Sequence, residues 1–121
     1  MNKGSYRLFL KIDSDIEVKA GALGKCFFPA GKYVYTGSAM SSLSKRIERH
    51  LKKRKTMRWH IDYLLSNRNV TIYKIEIFPS DKKEECEKNN EVMKKMNGTA
   101  LVKGFGSSDC NVCPSHLLKI D

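Results

Sequence analysis

No apolar run in this 121-residue chain approaches the ~18 residues that a membrane-spanning helix needs. The opening Met1-Asn2-Lys3-Gly4 lacks the apolar stretch of a signal peptide, so the expectation is a cytoplasmic protein. There is also no internal repeat, no low-complexity tract and no linker, which leaves one domain over residues 1–121. Acids are scarce, with 13 Asp and Glu against 23 Lys and Arg, a formal net charge of +10. What is present, 40% hydrophobic and 30% charged residues, is a globular composition with enough apolar side chains for one modest core.

A surplus of bases on so short a chain favours a polyanionic partner, either nucleic acid or an anionic membrane. The surplus is not spread evenly. Lys45, Arg46, Arg49, Lys52, Lys53, Arg54, Lys55 and Arg58 face a single acid, Glu48, within residues 45–58, so that segment carries +7 and the rest of the chain only +3. Such concentration suits a phosphate-binding surface better than a generally solvated one. A membrane surface fits poorly, because the apolar face at Leu43, Ile47 and Leu51 is narrow and needed for the core.

Periodicity and turn residues predict the element order. Tyr6–Ile12 reads as a largely buried strand, and short strands at 17–20 and 25–28 form a hairpin around Gly21 and Gly24. A strand over 33–35 ends at Gly37, followed by a small-residue loop over 38–42. Ser41 or Ser42 caps a helix from Leu43 to about Lys55, with His50 among the residues off its apolar face. A short helix over 59–65, a strand over 70–78 and a helix from Asp81 to about Met96, closed by Asn97-Gly98, come next. Thr99–Val102 and His116–Ile120 complete the list as short strands. The result is an α+β fold, a small mainly antiparallel sheet with two to three helices packed on it.

Several side chains have the chemistry that phosphate handling requires. Gly37 permits close approach of a phosphate backbone, and Ser38 follows it. Arg46 and His50 share a helix face, where the guanidinium can grip a phosphate and the imidazole can bond a phosphate oxygen or a tyrosine. Lys45, Arg49, Lys53 and Arg58 add positive charge, and His60 and Asp109 add polar groups that can complete a site. Glu85, near the start of a helix, can hold Mg²⁺ with waters and phosphate oxygens filling the shell. Its neighbours Glu84 and Glu87 are rivals for that role. The four cysteines are expected to be reduced in the cytosol. Cys110, Cys113 and His116 are metal-ligand types at close spacing, but a structural zinc needs a fourth ligand, which only Cys26, Cys86, His50 or His60 could supply, so Zn²⁺ is the lesser possibility.

Taken in order, Gly31-Lys-Tyr33-Val-Tyr35-Thr-Gly37-Ser-Ala39, then Leu43, Arg46, Arg49-His50-Leu51, then Arg58-Trp-His60-Ile-Asp62, then Glu85-Cys86-Glu87, then Gly104-Phe-Gly-Ser-Ser-Asp109-Cys110 and Ser115-His116-Leu117 resemble the Uri-type branch of the GIY-YIG nuclease superfamily. The resemblance runs along nearly the whole chain. That branch includes domains fused to a repair glycosylase of the endonuclease III type. The resemblance implies a GIY-YIG-like fold and a Mg²⁺- or Mn²⁺-dependent endonuclease acting on DNA rather than RNA, with a place in repair. It matches Tyr6 to the tyrosine of the first family motif and Tyr35 to that of the second, one serving as base or water-orienting group. It matches Arg46 to the family arginine and Glu85 to the metal-holding glutamate, with His50 beside them. Two alternatives remain open at this stage: a non-catalytic nucleic-acid-binding module on the same fold, and a small zinc-stabilised structural protein.

Overall fold

The computed structural model describes residues 1–106 and 113–121. The expectations for Asp109 and Cys110 lie outside the described residues. In chain order the elements are β1 (Gly4–Ile12), β2 (Ile16–Lys19), β3 (Lys25–Phe28), β4 (Gly31–Ala39), α1 (Leu43–Leu51), α2 (His60–Leu65), β5 (Val70–Pro79), α3 (Glu85–Lys95) and β6 (Leu117–Lys119). The expected α+β fold is what forms. Four strands make an antiparallel sheet in the order β5-β1-β4-β6, and β2 and β3 pair separately as a hairpin.

The sheet is buried on both faces, which is why β1 reads as a nearly continuous apolar run. Tyr6, Leu8, Leu10 and Ile12 point to one side, where they pack with Phe28 of the hairpin, Leu43 of α1 and Ile61, Leu64 and Leu65 of α2. Phe9, Val34 and Leu118 point to the other side and meet Val92 of α3. Arg7 shares that second face, 7% exposed. It holds α3 down with one guanidinium, giving hydrogen bonds to the Lys88 carbonyl (3.0 Å) and Glu91 (2.8 Å) of α3 and to Glu76 (3.2 Å) of β5.

Several boundaries differ from those read in the sequence, each for a local reason. β4 does not stop at Gly37. β1 offers a ladder back to Gly4, so Gly37, Ser38 and Ala39 pair with Tyr6, Ser5 and Gly4, and Tyr35 lies mid-strand. α1 opens as expected at the Ser42 cap, whose Oγ accepts the Lys45 N–H at 3.2 Å. It stops at Leu51 instead of Lys55, because nothing apolar follows and the Lys55 ammonium caps the Arg49 and His50 carbonyls at 3.1 Å. Of the expected apolar face, Leu43 is buried and Leu51 is 55% exposed, while His50, expected off that face, is 2% exposed. α3 starts four residues late, as the Ser80 hydroxyl takes the Lys82 N–H into a local turn and Asp81-Lys-Lys-Glu84 has no apolar side chain to bury. Thr99–Val102 contributes only a bridge from Thr99 to Lys119. No helix among the described residues is long and apolar enough to cross a membrane.

Candidate functional site

The starts of α2 and α3, the first turns of α1 and the C-terminal half of β4 surround a cavity of about 450 Å³. Tyr6, Tyr35, Gly37, Ser38, Arg46, Arg58, His60 and Glu85 all line it. These residues come from β1, β4, α1, the segment before α2, α2 and α3, so only the tertiary fold brings them together. His50 does not line the cavity; it stands behind Tyr6. Lys45, Arg49 and Lys53 are also outside its lining.

Glu85 is the acid among the lining residues. As the first residue of α3 it accepts the Ser38 hydroxyl at 3.1 Å, and its carboxylate lies 3.4 Å from Lys83 Nζ and 3.4 Å from His116 Nδ1. Burial favours the neutral acid, but His116, Ser38 and Lys83 together outweigh it and hold the carboxyl below its ordinary range. Glu85 is therefore ionised at neutral pH, with its side chain 16% exposed.

Arg46 reaches across to β4, giving a hydrogen bond to the Ser38 carbonyl at 2.9 Å, and its guanidinium lies 4.4 Å from the Trp59 ring centre. Arg49 also stacks on Trp59, at 4.5 Å, but its donors are committed. They form a bidentate pair with Asp62 at 2.8 Å, and Asp62 also accepts the Arg58 and Trp59 N–H groups. Burial would raise the Asp62 pKa, but these donors hold it low. Asp62 is thus a fully buried anion that sets the position of Trp59, and through it of Arg46. Lys53 is equally occupied, capping the carbonyls of Leu65, Asn67 and Val70. Trp59 has an apolar signature in the sequence, and nothing there marks it as the platform for two arginines.

The two tyrosines are deeply set, Tyr6 1% and Tyr35 7% exposed. Tyr6 Oη and His50 Nε2 share a hydrogen bond of 2.7 Å. Burial pushes the Tyr6 phenol up to about 12, with the Arg46 charge only partly opposing it, and Tyr35 rises well above its ordinary value by burial and its neighbours Tyr6 and Glu85. His50 moves the other way. Burial first, then the Lys55 charge, press it down to about 3. At neutral pH the pair is a neutral phenol on a neutral imidazole, and His50 Nδ1 is a buried nitrogen with no hydrogen-bond partner.

Gly37 has a definite steric reason. Its residue pairs with Tyr6 across the ladder, and a Cβ there would lie 2.6 Å from the Tyr6 hydroxyl and 2.7 Å from its Cζ. The space left by the missing side chain is therefore taken by the tyrosine, not by a substrate backbone. Gly37→Ala should push the Tyr6 ring off His50 and cost about 2 kcal/mol, as overpacking does, a fall of about 10 °C in Tm by calorimetry. A Tm within about 2 °C of wild type would show that the ring shifts freely.

Beside Glu85 lies a group of softer ligands. Cys86 Sγ, Cys113 Sγ and a ring nitrogen of His116 lie within 4.8 Å of one another, close enough to hold a metal ion. Cys113 and His116 belong to the expected set, Cys110 lies outside the described residues, and Cys86 is one of the residues the sequence offers as the fourth ligand. Cys26 and Cys113 are free thiols, whereas Cys86 is disulfide-bonded, contrary to the expectation that the cysteines are reduced, so these three side chains could hold a metal only with that bond reduced.

Neither the curated proteins nor the solved structures contain a match to the chain. A family model does match, over residues 5–121, which spans β1 to the last residue and includes every side chain of the cavity. The chain belongs to the family described as Domain of unknown function DUF123.

Proposed function

We propose that the protein is a metal-dependent endonuclease that hydrolyses phosphodiester bonds in DNA. The observation that carries this reading is the convergence of Tyr6, Tyr35, Arg46 and an ionised Glu85 on one open cavity of about 450 Å³. A hard divalent cation suits Glu85. The carboxylate is held charged, it faces the cavity, and Mg²⁺ or Mn²⁺ takes one carboxylate with waters and phosphate oxygens for the rest. When bound, such an ion supplies Lewis-acid neutralisation of phosphate charge.

The chain's own residues supply the remaining chemistry. Arg46, braced on Trp59 and the Ser38 carbonyl, donates to a non-bridging phosphate oxygen and stabilises the charge that gathers there as water attacks. Tyr6 orients that water. It accepts the water's proton at Oη while passing its own to His50 Nε2, 2.7 Å away. A standing phenolate is not needed, and the burial of Tyr6 argues against one.

The basic segment gathers the substrate, but with fewer charges than its composition suggests. Arg49, Lys53 and Lys55 hold protein groups, leaving Lys45, Lys52, Arg54 and Arg58 exposed; Arg46 and Arg58 of the segment line the cavity, joined there by Lys83. With about four phosphate contacts, log K for DNA should fall with log[salt] at a slope near −3.6. The test is a panel of supercoiled, linear, branched and abasic DNA with Mg²⁺ or Mn²⁺. Nicking that disappears with EDTA is expected. If no substrate is cut with either metal while the salt slope remains, the protein is a non-catalytic nucleic-acid-binding module instead.

A further inference from the structure

His60 opens α2 on the wall of the cavity, and its ring packs against the fully buried Phe105 with centroids 5.5 Å apart. The Gly106 N–H donates to His60 Nδ1 at 3.0 Å. An amide N–H can only give a proton, so Nδ1 must present its lone pair, and the one proton of the neutral ring sits on Nε2. Nε2 has no partner among the described residues and is not among their buried unpaired nitrogens, and His60 lines the cavity, so Nε2 is open to the cavity's solvent. Burial lowers the His60 pKa and favours the neutral ring. Protonating Nδ1 would set one N–H against another and break the Gly106 contact. Gly106 is itself constrained. Its φ is +68°, and a Cβ there would come within 2.9 Å of Tyr35.

We propose that His60 is a neutral hydrogen-bond donor, locked in the Nε2–H tautomer by the Gly106 backbone, that donates to a non-bridging oxygen of the phosphodiester in the cavity. This assignment rests on the phosphodiester reading above and gives that site a third kind of contact beside Arg46 and Glu85. It also separates His60 from proton transfer. A ring that cannot become imidazolium without losing Gly106 does not protonate a leaving group.

The test uses full-length protein labelled with ¹⁵N-histidine. Long-range ¹H–¹⁵N correlation spectra should show the neutral Nε2–H tautomer at neutral pH, with no conversion at the ordinary imidazole pKa of ~6.5, and added inorganic phosphate should shift the His60 Nε2–H signal. In cleavage assays, His60→Ala should lower kcat about 10²-fold with KM within about threefold. His60→Gln places an amide N–H where Nε2 stood and should recover about tenfold of that loss. His60→Asn, whose amide lies nearer the Nδ1 position, should not. An Nδ1–H tautomer, conversion to imidazolium near pH ~6.5, an unshifted signal in phosphate, or His60→Gln as slow as His60→Ala would each overturn the assignment. If wild-type protein cuts no DNA, the nuclease reading fails, and the tautomer and phosphate titration still decide the donor.

Discussion

On the proposed nuclease reading, Glu85→Gln lowers metal-dependent cleavage about 10³-fold and leaves DNA binding intact or tighter. The substitution keeps the shape and removes the charge on the carboxylate that the cavity presents to a cation. Losing the hold on the ion removes several kcal/mol of charge stabilisation, and about 4 kcal/mol corresponds to roughly 10³-fold in kcat. Folding should survive. The Lys83 partner is 55% exposed, and an exposed pair of that kind contributes little. The Ser38 hydroxyl can still donate to the amide oxygen of Gln. DNA affinity should rise in EDTA, since the cavity loses its negative charge while Arg46, Arg58 and Lys83 remain. The depressed pKa adds a further expectation. Its sign keeps Glu85 charged as pH falls through the ordinary carboxylate range, so mild acid should not mimic the mutant. Single-turnover cleavage beside filter binding separates the two effects. A mutant that cuts at the wild-type rate sinks the role given to Glu85.

How much of this was legible before any coordinates depends on how local each feature is. Strand and helix positions were readable because the apolar residues of β1, β5 and α2 state their own burial. The Ser42 cap and the Asn97-Gly98 stop were readable for the same reason, and Asn97 does take a positive φ of 53°. Features that depend on a neighbouring element were not readable. The length of β4 is set by its partner, because Gly37, Ser38 and Ala39 have no strand propensity of their own and extend only along β1. The +7 segment reads as a uniform basic surface, yet Arg49 is committed to Asp62 and Lys53 to three carbonyls, and no spacing rule shows which cations have local partners. For His50 the sequence leaves two partners open, a phosphate oxygen or a tyrosine, and only the turn of α1 decides, placing it under Tyr6. The cavity side chains were recoverable only through the order of several motifs together. No single one of them shows that Glu85 and Tyr6, far apart in sequence, line the same space.

The Tyr6–His50 pair yields the second large effect, and it appears in both rate and stability. In the proposed mechanism, Tyr6→Phe removes the hydroxyl that would orient the attacking water and relay its proton. A general acid–base contribution of this kind is worth 10²–10⁴, so kcat should fall about 10³-fold. The mutant also leaves Nε2 without its 2.7 Å partner in a ring whose Nδ1 is already unpaired, at a cost of about 2 kcal/mol in stability. His50 adds a pH dependence whose sign is fixed by its burial. Its folded pKa of about 3 lies below the unfolded value of ~6.5, so between them the unfolded chain binds the extra proton. Stability is therefore complete above pH ~6.5 and declines as pH falls toward 3, by about 2 kcal/mol at pH 5. His50→Gln should flatten that decline, because glutamine does not titrate. The same low pKa keeps His50 able to accept a proton throughout, so kcat of the wild type should show no acid limb near pH ~6.5. Thermal melts at stepped pH and a pH–rate profile measure these separately. A Tyr6→Phe enzyme within tenfold of wild type, or a His50→Gln protein with the wild-type acid slope, would refute the relay or the buried neutral imidazole respectively. Both expectations depend on the same geometry, since among the described residues the imidazole is the acceptor that faces the phenol wedged beside Gly37.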